Sequence, residues 1–380
     1  MRASTDRILT THVGSLPRSQ EVTDVLFARE HGTVADERAA GRTIAEAVGD
    51  VVRRQVAAGI DIVSDGEMSK ISYATYIRDR ITGFSGDTQR EPGQDLVEFP
   101  RILEKLARLG STAQYARPRC TGEIRTRSLD PLRADLDNLR SAASASLPIE
   151  AFLNAASPGV IALFQPNDFY RTQDTYLEAL ADAMRVEYEA IAAGGILVQI
   201  DSPDLAMGRH TMYRDRSVEE FLRLAALHVE VLNHALRDIS PDRVRMHVCW
   251  GNYDGPHHHD VPLELLLPIV IKVRARALLI ESANPRHAHE WAVFRGQKLP
   301  DDRILIPGVI STTTNYIEHP LLVAERVCRF ADLVGRERVI AGTDCGFGTF
   351  AGFGPVDPDV AYLKLQALAE GARIATRRLW

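Results

Sequence analysis

The sequence predicts an α/β fold, a (β/α)8 TIM barrel, and three observations carry that expectation. Eight short apolar runs recur along the chain, most of them stopping abruptly at polar or catalytic-type residues. They are β-branched or leucine-rich rather than strictly alternating, as strands buried on both faces of a parallel sheet must be. Amphipathic helical stripes lie between them, and one more closes the chain. A doubly wound parallel sheet is the competing architecture; eight strand–helix units favour the barrel.

In order, the runs are Ile8 to Ser15, Ile60 to Glu67, Pro148 to Ala155, Ile196 to Asp201, Val244 to Cys249, Ala277 to Glu281, Ile304 to Val309 and Val339 to Asp344. Ile44, Val48, Val51, Val52 and Val56 share a helical face that Gly59 terminates just before the second run. Leu177, Leu180, Ala181, Met184, Tyr188 and Ile191 form another stripe, opened by a Thr175–Glu178 capping box and stopped at Gly194 and Gly195. Ser217 and Glu220 cap a third helix running to about Leu236. Leu321 to Gly335 is a fourth, and Pro358 to about Ile374 closes the chain. Two stretches exceed what a crossover helix needs. Residues 18–43, charged and helical in character, follow strand one, and residues 83–147 follow strand two, with a short hairpin expected around Cys120. Both read as insertions in one barrel domain spanning residues 1–380.

Composition narrows the function classes. Lysine and arginine total 45 against 51 acidic residues, a formal charge of −6 with no basic block, which argues against nucleic acid or an anionic membrane as partner. Leu263 to Val273, the richest apolar stretch, is broken by Glu264, Pro268 and Lys272 and is far too short to span a bilayer. The N-terminus lacks a signal-peptide core, so a cytoplasmic location is expected. A homo-oligomer is left open. Four cysteines are too few for a disulfide framework. Cys328 falls on a helical apolar stripe as a packing thiol, and Cys120 carries no assigned role.

In such barrels chemistry gathers at the carboxyl ends of the strands. Those ends hold His12 and Ser15, Asp65 and Glu67, Asp201 followed by Asp204, His247 and Cys249, Glu281, and Asp344 and Cys345. His247 and Cys249 are two apart, so on a strand they face one side. An imidazole and a thiolate suit zinc, with Cys345 and Glu281 available to complete a tetrahedron. The bland alternative is that both are core residues. Arg209 and His210 follow the strand-four aspartate, where they would hold an anionic substrate group or form a surface ion pair. His12 reads either as a substrate contact or as an interior histidine. His257 to His259 form a loop run, either a source of acid or a solvated loop, and Trp250 and Tyr253 either wall the pocket or pack.

THVGSLPR (Thr11 to Arg18), DIVSDGE (Asp61 to Glu67), LVQIDSPDL (Leu197 to Leu205), HVCWGN (His247 to Asn252), LLIES (Leu278 to Ser282) and GTDCGFG (Gly342 to Gly348) resemble the catalytic half of cobalamin-independent methionine synthase. They resemble still more its single-barrel relatives, which include epoxyalkane:coenzyme M transferase. The resemblance implies Zn2+ as cofactor, with His247, Cys249, Glu281 and Cys345 as ligands. It further implies that Ser15, Glu67 and Asp201 hold a thiol substrate. The expected partners are thus a small-molecule thiol and an alkyl or methyl donor.

The implied chemistry follows from charge. Two thiolates, one carboxylate and a neutral imidazole leave a coordinated substrate thiolate electron-rich enough to attack an electrophilic carbon. Methionine synthases carry a histidine in a G-V-x-D-x-H segment, the acid for a departing folate; here Gly308 to Asn315 (GVISTTTN) puts Thr313 at that position. That departure favours a thiol alkyltransferase resembling epoxyalkane:coenzyme M transferase over methyl transfer from methyltetrahydrofolate to homocysteine. A metal-free barrel of the uroporphyrinogen decarboxylase type and a non-catalytic zinc-binding protein are the readings from other classes.

Overall fold

Each predicted apolar run coincides with a strand; six of the strands lie within their runs, whereas those of the third and seventh runs extend one residue beyond, to Ala156 and Ile310. The computed structural model describes residues 1–88, 92–109 and 116–380. The strands are β1 (Leu9–Thr10), β2 (Ile62–Ser64), β3 (Phe84–Ser85), β4 (Arg119–Cys120), β5 (Glu150–Ala156), β6 (Leu197–Asp201), β7 (Val244–Val248), β8 (Ala277–Ile280), β9 (Ile304–Ile310) and β10 (Ile340–Thr343). Eight of them lie parallel in the order β1-β10-β9-β8-β7-β6-β5-β2, and a parallel Thr11–Ile62 bridge joins the two outer members. The sheet therefore closes on itself, and the fold is an α/β TIM barrel.

The helices are α1 (Gln20–Glu30), α2 (Glu37–Ala57), α3 (Gln94–Val97), α4 (Pro100–Leu109), α5 (Asp130–Ser146), α6 (Pro158–Phe164), α7 (Gln173–Ala193), α8 (Val218–Ala235), α9 (Leu263–Val270), α10 (Pro320–Val334) and α11 (Pro358–Leu379). Local chemistry explains their ends. Ser217 and Glu220 form the expected capping box of α8, each side chain accepting the other's backbone N–H. Gly335, at φ 94°, ends α10 in a conformation that glycine adopts without penalty. The start of α7 differs from expectation: Thr172 is the cap, and its hydroxyl accepts from the Thr175 N–H at 3.2 Å. A cap three residues upstream wins because Thr175 is already inside the first turn. Among the described residues no helix is long and apolar enough to cross a membrane.

The long stretch after β2 also differs in detail from the hairpin expected around Cys120. Cys120 pairs antiparallel with Phe84, from the far end of the stretch, and with Asn167 beyond it. The last part of that stretch is α5, which packs against α2 in the crossover position between β2 and β5. Cys120 is fully buried and Cys328 packs half-buried against the core.

Inside the barrel, Leu9, Ile62, Phe152, Leu197, Leu279 and Ile306 fill the lower layer. Above them Arg245 is fully buried; it donates to Thr11 Oγ1 at 2.9 Å and to the His12 carbonyl at 2.7 Å, over the face of Phe152. Polar side chains begin at this level.

A second buried charge ties the stretch after β2 to the helical shell. Arg80 donates to Glu187 at 2.8 Å and to Asp135, while Tyr76 donates to Glu187 at 2.7 Å. Arg80→Met should lower the unfolding free energy by about 3–5 kcal/mol, since it removes the cation from two buried carboxylates and leaves Glu187 only the Tyr76 hydroxyl. An unchanged denaturant midpoint would contradict this.

Candidate active site

Strand register brings the rim residues together. His247 is the fourth residue of β7 and Cys249 follows the strand, so both side chains point into the barrel mouth. Cys345 arrives just after β10. The His247 nitrogen and the two sulfurs all lie within 4.8 Å of one another, and Cys249 Sγ stands 3.8 Å from Cys345 Sγ. All three residues are buried.

The cluster fits a metal ion. Two thiolates on a tetrahedral zinc, each at about 2.3 Å, stand about 3.8 Å apart. Both ring nitrogens of His247 are buried without a well-formed hydrogen bond among the described residues. Burial and then Arg245 push His247 down to about 3, against a lesser backbone contact at Leu279, so the ring is neutral and able to ligate. Cys249 is held well above the usual thiol range by its Cys345 partner and by burial; a cation would reverse that. The Gly251 N–H, donating to Cys249 Sγ at 3.3 Å, already favours a thiolate.

Glu281 directly follows β8 and is not part of this 4.8 Å cluster. Its Oε1 accepts the Trp250 N–H at 2.8 Å, and burial raises its carboxyl against the opposing charge of His287. The loop that carries it is fastened by Asp344, which accepts the backbone N–H groups of Ser282, Ala283 and Asn284 at 2.6–2.8 Å. Burial pushes Asp344 itself up to about 7.

Ser15, Glu67, Asp201, His210, His247, Cys249 and Cys345 all line one cavity of about 630 Å³. Glu67 sits at φ 58°, directly after Gly66 at φ 66°, a turn that aims its carboxylate into the cavity. Arg18 holds that turn by donating twice to the Glu67 carbonyl, at 2.8 and 3.2 Å. Glu67 Oε2 has no partner among the described residues. Asp201 accepts from Asn154 at 2.9 Å and Gln199 at 3.0 Å. Burial pushes Glu67 up to about 7 against the pull of Lys70, and Asp201 up to about 6 against those two hydrogen bonds. The Ser15 hydroxyl faces the Gly346–Gly348 turn, where a side chain at Gly346 would collide with it.

The other sequence candidates lie elsewhere. His12 is fully buried with Nε2 2.7 Å from Gln55, and burial pushes it down to about 4; it does not line the cavity. Arg209 lies outside the wall, donating to the Arg214 carbonyl at 3.2 Å. Thr313 is also outside, its hydroxyl 3.3 Å from Ser311. His210 lines the wall with Nε2 3.1 Å from the Trp250 carbonyl and Nδ1 3.4 Å from Asp95.

Several site residues escaped the sequence reading. Asp95 accepts the Tyr253 hydroxyl at 2.6 Å and the His257 N–H at 3.1 Å, joining the stretch after β2 to the loop after β7. Asn154 and Gln199 pair across β5 and β6 and point inward with Asp201. The signal was there: Gln199 is two residues before Asp201, and Asn154 is a polar residue inside an apolar run.

With this geometry in place, a family model described as the catalytic domain of cobalamin-independent synthase matches residues 8–94 and 157–352. The chain belongs to this family. The matched segments of this cobalamin-independent synthase domain contain Ser15, Glu67, Asp201, His247, Cys249, Glu281 and Cys345; residues 95–156 fall outside them. Curated relatives include a methionine synthase of Saccharolobus solfataricus, 24% identical over 97% of this chain and 95% of its own length. One from Sulfurisphaera tokodaii is 23% identical over 97% and 93%. Among solved structures, a B12-independent methionine synthase from Shewanella sp. W3-18-1 in complex with selenomethionine superposes with a TM-score of 0.72 at 18% identity, over 98% of this chain and 99% of that one. A second, from Listeria monocytogenes, gives 0.65 at 16% identity over 97% and 98%. At these identities the superpositions establish the fold.

Proposed function

We propose that this synthase-family barrel is a zinc-dependent transferase that places a methyl group on the sulfur of an amino-acid thiol of the homocysteine type. The observation that carries the reading is two buried carboxyl groups, Glu67 and Asp201, lining the same cavity as two thiols and a neutral imidazole. Carboxylates at that spot suit a substrate ammonium group. They do not suit the sulfonate of coenzyme M, which shifts the balance from alkyl transfer to coenzyme M toward an amino-acid acceptor.

His247, Cys249 and Cys345 would hold the zinc, with Glu281 in reach as the ligand that gives way. Bound there, zinc supplies a Lewis acid that favours the thiolate form of an entering thiol. The remaining work falls to the chain. Glu67 and Asp201 bind the ammonium group, and Asn154 and Gln199 hold Asp201 in place. Ser15 offers its hydroxyl to the substrate carboxylate. The thiol proton passes to water in the cavity, the sulfur–carbon bond forms, and the donor carbon's bond breaks with its electron pair on the leaving group. Tyr73, Phe164, Phe350 and Phe353 wall the rest of the cavity and would seat the donor.

Thr313 favours a second reading, because a hydroxyl cannot serve as the acid that a departing folate needs. An epoxide or another alkyl donor would then replace methylfolate. A panel of homocysteine, coenzyme M, glutathione and cysteine, crossed with methyltetrahydrofolate and a small epoxide, tests both on zinc-loaded protein. Methylation of homocysteine is expected. Turnover only with coenzyme M and the epoxide would overturn the proposal.

A further inference from the structure

On the outer side of the seam between α3 and the loop after β7, a second group of ligand-type side chains converges. Glu98 follows α3, and His258 and His259 belong to the loop. His258 Nε2 stands 2.7 Å from one Glu98 oxygen and His259 Nε2 stands 2.6 Å from the other. The three ligand atoms lie within 4.8 Å of one another. Adjacent residues in an extended segment point to opposite sides; here both rings reach one carboxylate, their centroids 4.1 Å apart. His257 makes that possible at φ 54°, held by Asp95 at its N–H and Asp260 at its ring. Phe99 packs edge-on against His258 and limits its freedom.

We propose that Glu98, His258 and His259 form a second, solvent-open site for a divalent transition-metal ion, which clasps the stretch after β2 to the loop that leaves β7. Two imidazoles and a carboxylate select zinc, nickel or copper over magnesium and calcium, and water fills the remaining positions. In the metal-free form each Nε2–H donates to Glu98. A shift of each proton to Nδ1 frees both nitrogens to ligate, and the exposed rings can pass those Nδ1–H groups to water. The site contains no thiol, which separates it chemically from the cluster in the barrel mouth.

The test uses the full chain, stripped with chelator and titrated with Zn2+ by equilibrium dialysis, then with Co2+ by absorption. Wild type should bind one more equivalent per chain than His258→Ala/His259→Ala. The equivalent lost in the double variant should lack the thiolate-to-cobalt charge-transfer band. Cys345→Ser should lose the band and keep the other equivalent. Glu98→Gln, which preserves size and leaves the loop sequence intact, should weaken the outer site at least about tenfold, and excess Mg2+ should not displace the metal. Equal stoichiometry in wild type and the double variant, or unchanged affinity in Glu98→Gln, would overturn the proposal.

Discussion

Replacing Cys345 with serine should remove metal from the barrel mouth and abolish thiol methylation while the barrel stays folded. Cys345 is one of two buried sulfurs 3.8 Å apart, and a hydroxyl is a poor substitute for a thiolate on zinc. Loss of a partner that merely orients a ligand weakens metal binding by about 10–100-fold, so loss of a ligand should exceed about 100-fold. His247→Ala should behave alike, since it removes the one imidazole of the His247–Cys249–Cys345 cluster. The readout is the thiolate-to-cobalt band together with activity, and far-UV circular dichroism reports the fold. Cys345→Ser protein with the full band and full turnover would refute the assignment.

The second large effect concerns the two carboxylates. Glu67→Gln and Asp201→Asn should each raise KM for an amino-acid thiol by about 30- to 1000-fold, the 2–4 kcal/mol lost when one partner of a desolvated charge pair is removed. Metal content should not change. The sign of the pH effect follows from the upward shifts. Glu67 near 7 and Asp201 near 6 become neutral as pH falls through those values and then cease to attract an ammonium group. Affinity for homocysteine should therefore drop on acidification, with apparent steps that belong to the pair rather than to either residue. A thiol without an amino group should show neither the KM increase nor this acid limb. If it showed both, the carboxylates would have another role.

Much of the molecule was legible because its physics is local. Strands buried on both faces announce themselves as uninterrupted apolar runs, and the Ser217–Glu220 pair marks a helix start by side-chain chemistry alone. Strand ends then place His247, Cys249 and Cys345 on one rim without any distance being known. Other features depend on the assembled barrel. The β3–β4 pair is too short to announce itself and joins residues 36 apart. Asp95 reads as an ordinary surface acid until Tyr253 and His257 close over it. Arg18 and Asn154 act through backbone carbonyls and a neighbouring carboxylate, partners that spacing cannot reveal. His12 and Arg209 show the converse: position near a strand end did not turn either side chain into the cavity.

The separation of the two sulfurs along the chain has a consequence for folding. Cys249 and Cys345 are 96 residues apart, so no metal can be held by both until three further strands have docked. A metal bridging them closes a loop whose entropy in the unfolded chain corresponds to roughly 4–5 kcal/mol at about 100 residues. A metal held there would therefore fasten the last third of the barrel in addition to its proposed chemical role. Because the preformed cluster exists only in the native state, metal binding should raise the melting temperature in step with free zinc. Chelation should loosen β8 to β10 first, the part of the ring whose closure the metal secures.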